Sequence, residues 1–238
     1  MNKFLYVILA VQQFSFSAAF AEDQKKLVVD KAHSKIAFVA EAAFVDAPLG
    51  YTAEGTFSDF DGQAQFSKQD FSDLKIYFKV QINSLKTKTL EIKNNLEGTM
   101  PKALGEVTIQ SIAAMDSMRD SHLKEADYFD VANYPEASFK SISVSPGANA
   151  SDYVLRGIMN IHGIKPAKDL VLKPIKQYQD GQNRKHFVFE ATTNLSRDEF
   201  GIGVVGSTPG QVNLLGHVLK IKDEVITNVV LDMVEVAP

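Results

Sequence analysis

From Leu74 to Asn83 the chain alternates without a break: Leu74, Ile76, Phe78, Val80 and Ile82 are apolar, with Lys75, Tyr77, Lys79, Gln81 and Asn83 between them. A period of two places the apolar residues on one face of an extended strand and leaves the other face wet. The pattern returns in Phe187, Phe189, Ala191, Thr193 and Leu195, set against Val188, Glu190, Thr192 and Asn194. It returns again in Leu155, Gly157, Met159 and Ile161, set against Arg156, Asn160 and His162. Lys35 to Phe44 alternates less cleanly through Ile36, Phe38, Ala40 and Ala42, and the tail from Val218 to Val236 predicts two strands split near Lys222-Asp223-Glu224. Turn-forming clusters separate the runs: Asp46-Ala47-Pro48-Leu49-Gly50, Asp59-Phe60-Asp61-Gly62, Ser145-Pro146-Gly147 and Asp180-Gly181-Gln182-Asn183. Residues 86–132 depart from this rhythm. Lys-, Glu- and Asn-rich stretches with Leu90, Leu96, Met100 and Leu104 loosely spaced predict one or two short helices, near 88–97 and 120–128.

About eight strands at hairpin-like spacing make this an all-β chain, a sandwich or an antiparallel barrel. Strands with one apolar and one polar face close economically into a barrel, which leaves no sheet edge exposed. The wet faces carry Lys, Gln, Asn and Glu, the reverse of an outer-membrane barrel, whose outward face is apolar. The chain has 16 Phe and no Trp, so the inner face is built from large rings without a polar atom. A barrel of about eight strands is either filled by its side chains or holds one small ligand. Composition leaves both readings open; an apolar tunnel would favour a long apolar ligand.

The N-terminus changes the picture of where the chain works. Lys3, the apolar run Phe4 to Val11 and the Ala19-Phe20-Ala21 tripeptide have the layout of a secretory signal peptide over residues 1–21, cleaved near Ala21. The run is too short, and too interrupted by Gln12 and Gln13, for a membrane-spanning helix. The mature chain would be 22–238, in the periplasm or secreted. Losing Lys3 would move the net charge from −4 to −5. An acidic surface without Lys or Arg runs is a poor partner for nucleic acid. With no Cys, disulfides, thiolate metal sites, Cys nucleophiles and a lipid-modified Cys anchor are all excluded.

Little in the chain has the spacing of catalysis. The 5 histidines, His33, His122, His162, His186 and His217, show no close metal-ligand pair, so neither a metal nor a cofactor is expected. Gly201-Ile202-Gly203-x-x-Gly206 superficially resembles a dinucleotide loop but follows no parallel βαβ unit, and a loop at the barrel rim is the better account. Ser196 and Ser207 lack the context of a hydrolase elbow. Arg119, Asp120 and His122 have catalytic side chains, yet a structural clamp explains them as well, since Arg pairs with carboxylates and Asp accepts backbone N–H groups. His33-Ser34 is read as a pair closing a strand start.

A set of ordered motifs resembles the YceI family. Val29-Asp30-x-x-His33-Ser34-x-Ile36-x-Phe38 is similar to its opening strand, followed by Gly55-Thr56-Phe57-x-x-Phe60-x-Gly62 and Ser84-x-x-Thr87. The most specific piece is Arg119-Asp120-x-His122-Leu123-x-x-x-Asp127-Tyr128-Phe129-Asp130-x-x-x-Tyr134-Pro135-x-x-x-Phe139. Gly157-x-x-x-Ile161-x-Gly163-x-x-x-Pro166 and Arg197-x-x-Phe200-Gly201 complete it, so the likeness spans nearly all of the mature chain. It implies a lipocalin-like antiparallel β-barrel and an exported bacterial protein that binds a polyisoprenoid, such as the tail of a quinone. Residues 88–117 depart from the pattern as an insertion between the Ser-x-x-Thr and Arg-Asp steps; long surface insertions cost little.

The expected function is a soluble carrier enclosing an elongated apolar lipid, with no enzymatic activity. Phe38, Phe57, Leu74, Ile76, Phe78, Phe139, Leu155, Met159, Phe187, Phe189 and Phe200 are the expected lining. His33, Arg119, Asp120 and His122 are the candidate head-group contacts. Two other classes stay open: an enzyme acting on an isoprenoid or quinone, and a solid-core interaction module. Whether the protein is a monomer or a homodimer is left open by the sequence.

Overall fold

The computed structural model describes residues 24–44, 49–94, 109–203, 211–214 and 217–236. The expected signal peptide 1–21 lies outside these residues, as do 95–108 of the insertion. The strands are β1 (Lys25–Val29), β2 (Lys35–Phe44), β3 (Leu49–Phe57), β4 (Phe60–Phe66), β5 (Lys75–Gln81), β6 (Leu85–Asn94), β7 (Glu136–Pro146), β8 (Tyr153–Asn160), β9 (Ala167–Gln179), β10 (Lys185–Ser196), β11 (Gln211–Leu214), β12 (His217–Ile221) and β13 (Glu224–Val236). A helix, α1 (Ile109–His122), precedes β7.

Eight strands close an antiparallel barrel in the order β1, β4, β5, β7, β8, β9, β10, β13, with β13 returning to β1. The alternation predicts which faces turn inward: in β5, Ile76, Phe78 and Val80 are buried while Lys75, Tyr77, Lys79 and Gln81 face out. The barrel is therefore a lipocalin-like one with an apolar interior. β2, β3, β6, β11 and β12 lie outside the closed ring.

The surplus strands arise because long ribbons are creased. β13 pairs with β1 through Met233–Val236 and with β2 through Ile226–Val230, so two consecutive strands share one of its edges. The chain bends between them at 30–34, between β3 and β4 at 58–59, and between β5 and β6 in a short 3₁₀ turn at Ile82–Ser84. Serine hydroxyls replace ladder hydrogen bonds at the bends. Ser34 Oγ accepts from the Asp232 amide at 2.9 Å and donates to its carbonyl at 3.3 Å. Ser84 Oγ accepts from the Asp59 amide at 3.0 Å and donates to the Gln81 carbonyl at 2.7 Å. Beyond the crease, β2, β3 and β6 form a flap that rises past the barrel rim.

Two local expectations are corrected. Residues 88–94 are strand, not the helix expected near 88–97, because pairing with β3 from Leu85 to Asn94 outweighs their local composition. The helix lies at 109–122, upstream of the expected 120–128, and only turns follow it. Asp59-Phe60-Asp61-Gly62 is not a hairpin turn: Phe60 opens β4, whose partners are β1 and β5.

The half of the barrel away from the crease is solid. Phe66, Phe71, Phe187 and Phe189 meet edge to face, with ring centroids 4.9 Å apart for Phe66–Phe71, 5.3 Å for Phe66–Phe187 and 5.4 Å for Phe71–Phe189. Phe71 enters this cluster with φ at 55°, a left-handed conformation that costs a bulky residue about 1–2 kcal/mol and is offset by the ring contacts. Gly157 leaves room for the Phe139 ring, which a Cβ would meet at 2.5 Å.

Outside the same half, Asp232 and His186 are buried at 4% and 1% exposure. His186 Nδ1 lies 2.6 Å from Asp232 Oδ1, and Tyr178 donates to Asp232 Oδ2 at 2.6 Å while stacking on the imidazole. Asp180 closes the β9–β10 turn by accepting from the Arg184 amide at 2.9 Å and its Nε at 2.7 Å. The Arg184 amide, with help from its guanidinium, holds the Asp180 carboxyl well below the usual range.

Phe189→Ala is expected to cost about 3–5 kcal/mol of unfolding free energy, read from urea denaturation, because a fully buried ring leaves a cavity in a packed cluster. A depressed carboxylate stabilises the fold above its unfolded range and ceases to do so as protons bind. Asp180→Asn therefore lowers the denaturation midpoint at neutral pH, and the gap from the parent closes as pH falls below about 4.

Candidate functional site

The creased end of the barrel holds a cavity of about 400 Å³. Phe78 and Val80 from β5, Ile82 from the 3₁₀ turn after it, Met159 from β8, Leu170 from β9, Leu195 from β10 and Val229 from β13 form its floor and barrel wall. Ile36, Phe38, Ala40 and Ala42 from β2, with Tyr51 and Phe57 from β3, form the flap side. Helix α1 borders it with Met115, Met118, Arg119 and His122, which recur at helical spacing on one side, and Leu123 and Phe129 follow from the next turns. The wall is overwhelmingly hydrocarbon.

Helix α1 is held by a polar clasp on the open edge of β6. Among the described residues β6 pairs with β3 alone, so its other edge presents amides free of a neighbouring strand. Asp120 Oδ1 accepts from the Thr87 amide at 2.6 Å and its hydroxyl at 2.7 Å. Asp116 Oδ1 accepts from the Thr89 amide at 3.1 Å and its hydroxyl at 2.7 Å. The match is geometric: four helical residues rise about 6 Å and two strand residues about 6.7 Å, so successive edge amides meet carboxylates one turn apart. Arg119 lies between them. It donates to the Thr87 and Thr89 hydroxyls at 3.1 and 2.9 Å and to Asp116 at 3.0 Å, and its guanidinium sits 4.9 Å over the Tyr51 ring.

Two phenols stand in the wall. Tyr51 is 8% and Tyr128 4% exposed, and both line the cavity. Burial pushes the Tyr128 phenol up to about 12, against the lowering pull of Arg197, and the Tyr51 phenol is near enough to add to the rise. The Tyr128 ring edge rests on the rim loop at Gly203, where φ is 68° and a Cβ would lie 3.1 Å from the ring and 2.9 Å from Arg197 Nη1. Both the left-handed backbone and the close approach require glycine there. Arg197 ties that loop to the end of β12, donating to the carbonyls of Lys222, Ile202 and Ile221 at 2.8, 2.9 and 3.1 Å.

Of the expected lining, Phe38, Phe57, Phe78, Met159 and Phe200 do border the cavity. Leu74, Ile76, Phe139, Leu155, Phe187 and Phe189 do not: they face inward, but into the solid half of the barrel, where the lumen is filled by rings. Of the head-group candidates, Arg119 and His122 reach the wall. Asp120 is buried in the clasp, and His33 points to solvent, with Nδ1 2.9 Å from Asp30 Oδ2. The Arg119-Asp120 pair is thus a clamp, and His122 leans on Asp127 at 3.1 Å. Sequence reasoning missed Tyr51, Tyr128, Met115 and Met118. Tyr51 shares the parity of Ala53, Gly55 and Phe57 along β3, which was the available signal; the methionines lie on a helix whose position was misplaced. Among the described residues, no group of three or more His, Cys, Asp or Glu is placed to hold a metal ion.

Known proteins share this fold. The YceI-like domain model matches residues 27–233. A UPF0312 protein of Enterobacter sp. (strain 638) is 27% identical over 216 residues, covering 90% of this chain and 94% of that protein. Protein YceI of Escherichia coli O157:H7 is 28% identical over 213 residues, covering 89% and 93%. Among solved structures, BcnA of Burkholderia cenocepacia superposes with a TM-score of 0.56 at 20% identity, covering 86% of this chain and 98% of that one. The Campylobacter jejuni YceI protein does so with a TM-score of 0.52 at 17% identity, covering 77% and 85%. With a family match over nearly the whole barrel, its flap and α1, the chain belongs to the YceI family.

Proposed function

We propose that the protein is an exported, non-enzymatic carrier that shelters an elongated apolar lipid, of polyisoprenoid type, in the cavity under α1. The observation that carries this reading is the partly open, hydrocarbon-walled space of about 400 Å³ at one end of the barrel. That size falls in the ordinary range of small-ligand sites. Each Å² of apolar surface taken out of water is worth about 25 cal/mol, so a prenyl chain binds tightly with few polar contacts. The polar outward faces of the barrel strands fit a carrier whose outer wall meets water. The commitment of Arg119, Asp120 and Arg197 to local hydrogen bonds supports a carrier over an isoprenoid-processing enzyme.

Protein purified from its own host under native conditions is expected to release, on organic extraction, a stoichiometric apolar lipid identifiable by mass spectrometry. Empty protein that also takes up no added isoprenoid would overturn the reading. Asp120→Ala removes the acceptor of the Thr87 amide and leaves that donor unpaired. It is expected to speed exchange of the Thr87 amide and lipid dissociation severalfold while leaving the urea midpoint of the barrel nearly unchanged. Hydrogen exchange and a lipid-release time course measure the two.

A further inference from the structure

Tyrosine hydroxyls that are buried normally find a hydrogen-bond partner, because losing water without replacement is costly. The Tyr51 and Tyr128 hydroxyls find no such partner on the protein, though neither is sealed from water: among the described residues the sealed side-chain polar atoms without a partner are Thr52 Oγ1 and Asn160 Oδ1. Both residues are more than nine-tenths buried and border the cavity, yet neither hydroxyl makes a hydrogen bond to any described residue. A purely hydrocarbon wall would be served by Phe at either place, as it is at 38, 57 and 78. Arg119 adds a third source of donors. It carries five N–H groups, and the contacts to Thr87, Thr89 and Asp116 engage three of them.

The charge balance at this wall restricts what those donors can meet. Arg119 is paired with Asp116 at 3.0 Å, and His122 lies 3.1 Å from Asp127. Arg197 faces three backbone carbonyls and lies 3.9 Å from Asp198. Every cation bordering the cavity is therefore already matched by acceptors on the protein. A carboxylate or phosphate brought here would lose its water and find no uncommitted positive charge.

We infer that Tyr51 and Tyr128, with Arg119 beside them, form a specificity site for an uncharged oxygen acceptor, such as a ketone, on the lipid held in the cavity. The inference rests on the lipid-carrier reading and goes beyond it. The hydrocarbon wall supplies affinity for any chain of the right size, and the phenols choose among chains by their oxygen.

The test compares three probes of equal chain length, hexadecane, hexadecan-2-one and hexadecanoate, by equilibrium dialysis of radiolabelled material against the full-length protein at neutral pH. The ketone is expected to bind about tenfold more tightly than the alkane, the upper end of what one net hydrogen bond contributes. Tyr128→Phe is expected to remove most of that preference without weakening alkane binding, a split that a merely structural role would not produce. Tyr51→Phe makes the same measurement if Tyr128→Phe fails to fold. Retention of the ketone preference in both variants, or tighter binding of hexadecanoate than of the ketone, overturns the specificity site and leaves the carrier reading standing. Failure of the parent protein to bind either neutral probe overturns both.

Discussion

An eight-stranded barrel has a lumen just wide enough for the side chains of its own walls. This constraint decides where the protein has room for anything else. Away from the crease, Phe66, Phe71, Phe187 and Phe189 close the lumen with ring-to-ring contacts, and the barrel is a packed core. Among the described residues, the large apolar space opens where β1, β4 and β5 give way to β2, β3 and β6. The cavity is a consequence of the crease.

Departing from the ring has a second consequence. A closed barrel has no edge, but a flap does, and β6 is its outer strand. An unpaired edge invites another chain. Here α1 covers it with carboxylates in place of a neighbouring strand, and the same placement brings Met115, Met118 and Arg119 over the cavity. Protection of the edge and placement of the helical border of the site are thus one structural act. The motif that includes Arg119 and Asp120 belongs to this clasp, where side chains of catalytic type are held in local hydrogen bonds.

The polar groups at the site follow the same economy. Arg197 secures the rim loop through backbone carbonyls, Gly203 lets that loop lie against Tyr128, and the phenols of Tyr51 and Tyr128 are left as the donors bordering a hydrocarbon wall. On the proposed reading, a site with so few polar contacts discriminates weakly among chains by shape and more strongly by where a ligand places an oxygen.

The strand alternation by itself determined the all-β class, the inward direction of Phe78, Phe187 and Phe189, and the split of the tail into β12 and β13 near Lys222-Asp223-Glu224, because period two is a local property of an extended chain. Ordered motifs determined the family. Alternation says which face is buried, but not how far along the barrel the burial is solid. Only the tertiary structure assigned Phe187 and Phe189 to a plug and Phe38 and Phe57 to a cavity wall. It also decided that residues 88–94 extend a strand and that the helix lies at 109–122, since these depend on pairing with β3 and docking on the β6 edge. Such contacts join residues far apart in the chain, and no local pattern of apolar and polar positions encodes which partner a strand edge will meet.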